Sequence, residues 1–199
     1  MTQITKAVNE PVSTFAAGSP ERLSLQAKYD EMASQTIEIP LIIGGQEIKT
    51  GDTGTCVMPH DYQHVLATYH KAGEAEANQA IEAAKEAWNT WSKTSLEERT
   101  KIFRKAAELL QGPWRDTINA ATMLNQSKNA FQAEIDAACE LIDFFNFNTQ
   151  YAEEIYANQP LISPEGMSNH LEYRPLEGFV FAITPFNFTS IAANLPSAP

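Results

Sequence analysis

The sequence predicts an α/β fold in which a long helical segment leads into the start of a parallel sheet that is incomplete in this chain. Two observations carry that reading. Between Glu74 and Tyr156, apolar residues recur at three- and four-residue spacing, the period of helices with one buried stripe. Gly178-Phe179-Val180-Phe181-Ala182-Ile183-Thr184 is instead a short, uninterrupted apolar run, as in a strand covered on both faces of a parallel sheet. The chain divides accordingly into an arm and helix (1–36), a hairpin and strand segment (37–72), a helical segment (73–168) and the start of a further α/β domain (169–199).

Residues 1–18 are polar, contain Pro11 and Gly18, and read as an extended arm. Ser19-Pro20-Glu21 starts a helix: Ser as N-cap, Pro at the first helical position, an acid in the first turn. That helix runs to about Ser34. Ile37-Glu38-Ile39 and Leu41-Ile42-Ile43 flank Pro40, and Gly44-Gly45 precedes Gln46-Glu47-Ile48. The paired glycines predict a tight hairpin, because primed turns need positive φ at their centre. A second strand pair is expected across residues 55–58 and 64–69.

From Glu74 onward, Ala77, Ile81, Ala84 and Trp88 form one buried stripe of a helix. Ser95-Leu96-Glu97-Glu98 matches a capping box. The helix behind it buries Ile102, Phe103, Ala106, Leu109 and Leu110, and Gly112-Pro113 ends it. A third helix covers about 114–124. A fourth, from about Ala130 to Tyr156, turns Phe131, Ile135, Ala138, Ile142 and Phe145 to the core. Leu171-Glu172-Tyr173-Arg174 alternates like a half-exposed strand, Pro185 ends the apolar run, and Thr189 caps a further helix through 190–194.

Composition narrows the function classes. A hydrophobic fraction of 43% in 199 residues is enough for a core without disulfides or metals. A net charge of -11 argues against nucleic acid or anionic membrane as a partner, since both need a cationic field. The two cysteines, Cys56 and Cys139, form no framework and read as reduced thiols. Residues 1–13 hold one cation, Lys6, and lack the character of a presequence or secretory signal. A cytoplasmic location is the expectation, with the mitochondrial matrix as the alternative.

The stretch with most chemistry is the apolar run and its sequel, Thr184-Pro185-Phe186-Asn187-Phe188-Thr189. Open α/β sheets bind ligands at the C-terminal ends of their strands. An Asn placed there offers a non-titrating amide that can donate to an oxyanion. Taken alone, the segment is most simply a turn. A parallel strand followed by a helix also implies a crossover to another strand, and none follows before Pro199. No phosphate-binding G-x-G-x-x-G or G-x-x-x-x-G-K occurs either.

Strand–Pro-Phe-Asn-Phe–helix resembles the aldehyde dehydrogenase superfamily. Longer stretches are similar to its 1-pyrroline-5-carboxylate dehydrogenase subgroup: Asn9-Glu10-Pro11, residues 18–22, residues 132–145 on the fourth helix, and Leu176-Glu177-Gly178-Phe179 leading to Asn187-Phe188-Thr189. The similarity runs through the whole chain in one order. It implies the N-terminal part of the aldehyde dehydrogenase fold, with residues 169–199 opening a Rossmann-like NAD-binding domain. In such enzymes a cysteine thiolate attacks the aldehyde, hydride leaves to NAD, and a glutamate activates water to release the acid; splitting the reaction covalently eases it. The subgroup oxidises L-glutamate gamma-semialdehyde to L-glutamate in proline degradation.

The resemblance implies residue roles. Asn187 matches the oxyanion donor; Ile183, Thr184, Pro185 and Phe186 match the segment along the nicotinamide cofactor; Phe188 matches an aromatic on the aldehyde-site wall. Asp136, Glu140 and Asp143 fall at i, i+4 and i+7 on one helix face, which by pattern alone is a solvated acidic stripe. The resemblance places Glu140 by the amino-acid end of the semialdehyde. Nucleophile and general base would lie downstream, so this chain alone is expected to be inactive, and the complete enzyme to be a homo-oligomer, a dimer. The alternatives are another aldehyde dehydrogenase subgroup and a truncated, non-catalytic binding or regulatory module.

Two other groups carry less. Cys56, His60, His64 and His70 match no zinc spacing, so no metal is expected. Cys139 sits mid-helix with no Lys, Arg or His within four residues, as a small buried apolar residue rather than a nucleophile.

Overall fold

The computed structural model describes residues 4–194, 197 and 198, so the first three residues of the expected arm lie outside the described residues. Its order is α1 (Pro20–Ala33), β1 (Ile37–Ile39), β2 (Leu41–Ile43), β3 (Gln46–Ile48), β4 (Thr53–Met58), β5 (Asp61–His70), α2 (Glu74–Trp91), α3 (Leu96–Gln111), α4 (Arg115–Gln126), α5 (Ala130–Ala133), a π-helical turn (Glu134–Cys139), α6 (Glu140–Ala157) and a 3-10 turn (Ile191–Asn194).

The capping signals act as expected. Ser19 Oγ accepts from the Arg22 N–H at 3.3 Å. Ser95 and Glu98 satisfy each other's backbone N–H groups, both at 3.2 Å, closing orphan donors at the start of α3. Asn129 and Gln132 do the same for α5. Gly44 and Gly45, at φ of 58° and 77°, make the primed hairpin turn that pairs β2 antiparallel with β3.

β5 is the central strand of a second sheet, antiparallel to β4 and parallel to β1. Pro40 separates β1 from β2, and without an N–H it cannot continue a ladder. The two apolar tripeptides therefore join different sheets.

The core lies between helices. Ala107 of α3 packs with Ala138, Leu141, Ile142 and Phe145, and the Phe103 and Phe145 rings meet at 5.8 Å. A smaller cluster joins Leu25 of α1, Ala120 of α4 and Phe15 of the arm. Several stripe residues fare differently from the sequence expectation. α2 has no fully buried residue, and Ile102, Leu109 and Phe131 are exposed. These helices have one covered face narrower than the apolar stripe they carry.

Three further expectations are corrected. The fourth helix is not uniform: its second stretch winds as a π turn over Glu134–Cys139, a geometry with no composition signature of its own. Residues 171–186 form no strand, and Phe181 and Ile183 are each 78% exposed. A strand covered on both faces needs neighbours, and no strand among the described residues lies beside this run. The described residues of 169–199 thus add no strand to a sheet; the parallel pairing among the described residues is β1 with β5, in a mixed α/β chain whose sheet is partial, as the expected fold class has it. The segment instead follows the helical layer, tied by Trp88 Nε1 donating to the Leu176 carbonyl at 2.6 Å. The helix expected after Thr189 is reduced to the 3-10 turn.

Candidate active site

The site is built where the chain returns from residue 186 onto the turn between α4 and α5. α4 ends at Gln126, and Ser127 takes a left-handed conformation, φ 55° and ψ 28°. Non-glycine residues adopt it at a cost and keep it only where the surroundings enforce it. Here the β4–β5 hairpin supplies the enforcement. His60 Nδ1 lies 2.8 Å from Ser127 Oγ, and Cys56 Sγ donates to Asn125 Oδ1 at 2.8 Å.

On either side of that bend, Gln126 and Lys128 reach the same partner. Lys128 Nζ donates to the Asn187 carbonyl at 2.8 Å, pairs with Asp136 at 2.7 Å and stands 4.2 Å over the Phe188 ring. Oriented by its neighbours, the Gln126 amide donates to the Asn187 carbonyl at 3.0 Å. Its oxygen accepts from the backbone N–H of Phe188 (3.2 Å) and Thr189 (2.9 Å) and from Thr189 Oγ1 (3.1 Å). One residue on, Ser190 Oγ donates to the Ala137 carbonyl of the π turn at 2.7 Å. A π turn leaves carbonyls out of the regular i to i−4 ladder, and Ser190 uses one of that turn's carbonyls as its dock.

Asn187 is thus held by its backbone while its side chain stays exposed, with no hydrogen bond to the described residues. That is the state an oxyanion donor requires: fixed in place and free to donate. Phe188 is half-buried beneath Lys128. Ile183, Thr184, Pro185 and Phe186 lie exposed, Phe186 at 95%.

The acidic face resolves into three different environments. Asp136 is neutralised by Lys128. Asp143 accepts from the Glu10 N–H and from Asn9 Nδ2, both at 2.7 Å. Glu140, the first residue of α6, has no hydrogen bond or ion pair among the described residues. Burial and the charges of Asp136 and Asp143 raise its pKa, with Lys128 opposing. Pattern alone could not separate these three acids, because their partners lie far off in sequence.

The remaining candidates are placed elsewhere. His70 is buried, with Nε2 2.9 Å from Glu38, and accepts from the Gly51 N–H at 3.2 Å through Nδ1. Cys139 is buried and its thiol is pushed up to about 12, by burial and then by the Glu134 charge, although Arg115 Nη2 lies 3.5 Å from its sulfur. That cation comes from α4, beyond the reach of a reading along one helix.

Lys128, Gln126 and Ser127 were missed by sequence reasoning. A signal did exist for the first: Lys128 is the only Lys or Arg between Arg115 and Arg174, in a stretch whose acids need a partner.

The chain is similar to known proteins over nearly its whole length. A Delta-1-pyrroline-5-carboxylate dehydrogenase of Agaricus bisporus is 48% identical over 99% of this chain and 36% of its own length. The Delta-1-pyrroline-5-carboxylate dehydrogenase, mitochondrial, of Rattus norvegicus is 46% identical over 98% of the chain and 34% of its own. The crystal structure of the Delta-pyrroline-5-carboxylate dehydrogenase from Mycobacterium tuberculosis bound with NAD superposes with a TM-score of 0.94 at 49% identity, over 98% of this chain and 37% of that one. The chain thus spans about a third of the length of these relatives. The family model described as the aldehyde dehydrogenase family matches residues 48–199, and the chain belongs to the aldehyde dehydrogenase family.

Proposed function

We propose that the protein containing this chain is an NAD-dependent dehydrogenase that oxidises L-glutamate gamma-semialdehyde, the open form of 1-pyrroline-5-carboxylate, to L-glutamate. The carrying observation is Asn187, whose backbone is clamped by Gln126 and Lys128 while its amide stays free. A neutral amide donates to an alkoxide as negative charge develops on the aldehyde oxygen, and it neither titrates nor delivers a proton to it. The names of the relatives support the substrate.

Phe188 supplies an apolar wall beside Asn187, and its ring is fixed from the other side by the Lys128 ammonium. Glu140, the one acid of its stripe without a partner among the described residues, suits the ammonium group of an amino-acid aldehyde. The stretch Ile183–Thr184–Pro185–Phe186 fits a nicotinamide. It presents uncovered apolar side chains for the ring and backbone groups without partners among the described residues for the carboxamide. NAD bound there would accept the hydride; these residues orient the ring and exclude water from one face.

The substrate is a small molecule, and the complete enzyme is proposed to be a homodimer. No helix among the described residues is long and apolar enough to cross a membrane. For the compartment, cytoplasm and mitochondrial matrix are the two readings, and the name of the rat relative supports the matrix.

The test is formation of NADH from the semialdehyde by the protein that contains this chain. Simple aliphatic aldehydes serve for comparison. No NADH with the semialdehyde, or equal efficiency with an aldehyde lacking the amino-acid end, defeats the assignment.

A further inference from the structure

We propose that Lys128 is a positioning residue for the Asn187 turn: its ammonium fixes the Asn187–Phe188 peptide, and with it the direction in which the Asn187 amide donates. The proposal rests on the role given to Asn187 above. It goes beyond that role by assigning the residue that sets it.

Bonds at both ends hold that peptide. Its carbonyl receives Lys128 Nζ at 2.8 Å, and its N–H, on Phe188, donates to Gln126 at 3.2 Å. Bonding both ends of one planar peptide fixes that plane, and with it the position of the Asn187 Cα from which the side chain projects. Lys128 contributes at a third point, over the Phe188 ring at 4.2 Å. The same group therefore ties the oxyanion donor to the aromatic wall beside it.

Lys128 is itself held. Asp136, 2.7 Å away on the π turn, neutralises it, and the ammonium is largely shielded from water, its side chain 17% exposed. Ser127's left-handed bend, braced by His60, brings Gln126 and Lys128 to one partner. A surface lysine doing no more than solvating an acidic stripe would not need this arrangement. Three groups converge on one nitrogen of the α4–α5 bend: the Asp136 carboxylate of the π turn, the Asn187 carbonyl and the Phe188 ring.

The consequence is catalytic geometry without contact to substrate. Displacing a reacting group by about 1 Å can cost on the order of a hundredfold in rate. Nζ serves all three contacts at once: its charge meets a carboxylate and a ring face, and its N–H donates to a carbonyl. A neutral side chain of similar length keeps the packing and loses the anchoring.

The experiment uses the protein that contains this chain, with Lys128→Met, Lys128→Arg and Asn187→Ala measured side by side. Readouts are kcat and KM for the semialdehyde, and hydrogen exchange of the Phe188 and Thr189 amides without substrate. Lys128→Met should lower kcat by about a hundredfold, with KM within about threefold, and speed exchange at both amides. Lys128→Arg keeps the charge and should restore most of kcat. Should Lys128→Met not fold, Lys128→Gln carries the same test with about a tenfold loss, since it keeps one donor for the carbonyl.

A wild-type kcat in Lys128→Met, a loss confined to KM, unchanged exchange, or an Arg variant as impaired as Met overturns the proposal. The Asn187→Ala arm separates the two readings. If Asn187→Ala keeps full kcat, the oxyanion role falls and the positioning role falls with it. If Asn187→Ala is impaired and Lys128→Met is not, only the assignment of Lys128 fails.

Discussion

Glu134, no part of whose side chain is exposed, is bonded through both carboxylate oxygens to Arg115, which also reaches Glu10 and the Pro11 carbonyl. Glu134 opens the π turn, Arg115 opens α4, and Glu10 belongs to the arm. Ser13 N–H and Asn119 Nδ2 complete the carboxylate's shell at 2.8 and 2.7 Å. The arm then runs antiparallel to the long helix. Its backbone N–H groups at Ser13, Glu10, Ala7 and Thr5 donate in turn to Glu134, Asp143, Gln150 and Glu153. Side chains on one helix face thus act as a ladder for an extended segment that pairs with no strand among the described residues.

Breaking this buried pair strands a charge. Arg115→Met should destabilise the fold by about 3–5 kcal/mol, because Glu134 and Glu10 are left without their cation. Burial alone would raise the Glu134 carboxyl, but Arg115, Ser13 and Asn119 hold it below the usual range. A lowered folded pKa gives stability that is complete above the unfolded carboxylate pKa, about 4.3, and lost as pH falls through the folded value. Urea unfolding at neutral and acid pH reads both effects. Equal stability of Arg115→Met and wild type at neutral pH would falsify the anchoring role.

How much of this was legible in the sequence depended on the range of the interactions. Ser19, Ser95 and the Gly44–Gly45 turn were readable because caps and turns are set by residues within a few positions. The pairing of β1 with β5 was not, since Ile37 and Ala67 lie thirty positions apart and a tripeptide carries no register signal. Asn187 was identified by resemblance, and no local pattern distinguishes it from an ordinary turn. Its clamp was hidden for the same reason as the arm's ladder: Lys128 and Asn187, like Ser13 and Glu134, meet only once the chain is folded.

Residues 1–199 by themselves should form no NADH from the semialdehyde. The only cysteines are Cys56 and Cys139. The first donates to Asn125, and the second is buried with its thiol pushed up to about 12. A thiol so far above neutral pH is almost wholly protonated and a poor nucleophile. A thiol reagent at neutral pH should label Cys139 in the folded chain far more slowly than in urea. Robust NADH production by the purified chain, or rapid labelling of Cys139 in the native state, contradicts this.

Asn187→Ala, in the protein that contains this chain, should reduce kcat far more than it weakens substrate binding. The amide matters mainly once charge has developed, and removal of one oxyanion donor typically costs about 2.7–4 kcal/mol in the transition state. The exposed side chain makes no hydrogen bond to the described residues, so unfolding temperature should hardly move. A variant with unchanged kcat and a raised KM would show uniform binding and remove Asn187 from the chemistry.

Glu140→Gln separates substrate recognition from a merely acidic surface. Its neighbours are already occupied, Asp136 by Lys128 and Asp143 by the arm, which leaves Glu140 as the acid of the stripe without a partner among the described residues. Removing its charge should cost the amino-acid aldehyde about 1.5–3 kcal/mol, the range for charge-assisted hydrogen bonds, and a simple aliphatic aldehyde almost nothing. Asp143→Asn should instead loosen the arm and lower stability without changing the ratio between the two aldehydes. Burial and the two flanking acids raise the Glu140 pKa, so its anion forms at a pH above the usual carboxylate range. The ratio of kcat/KM for the two aldehydes should therefore rise with pH through that raised value in wild type. In Glu140→Gln that ratio should be flat on the acid side. Folding favours the protonated form of such a group, so its own contribution to stability is present below the unfolded pKa and fades as pH rises through the folded one. Equal losses for both aldehydes in Glu140→Gln, or a wild-type ratio that does not change with pH, would leave Glu140 as one more solvated carboxylate.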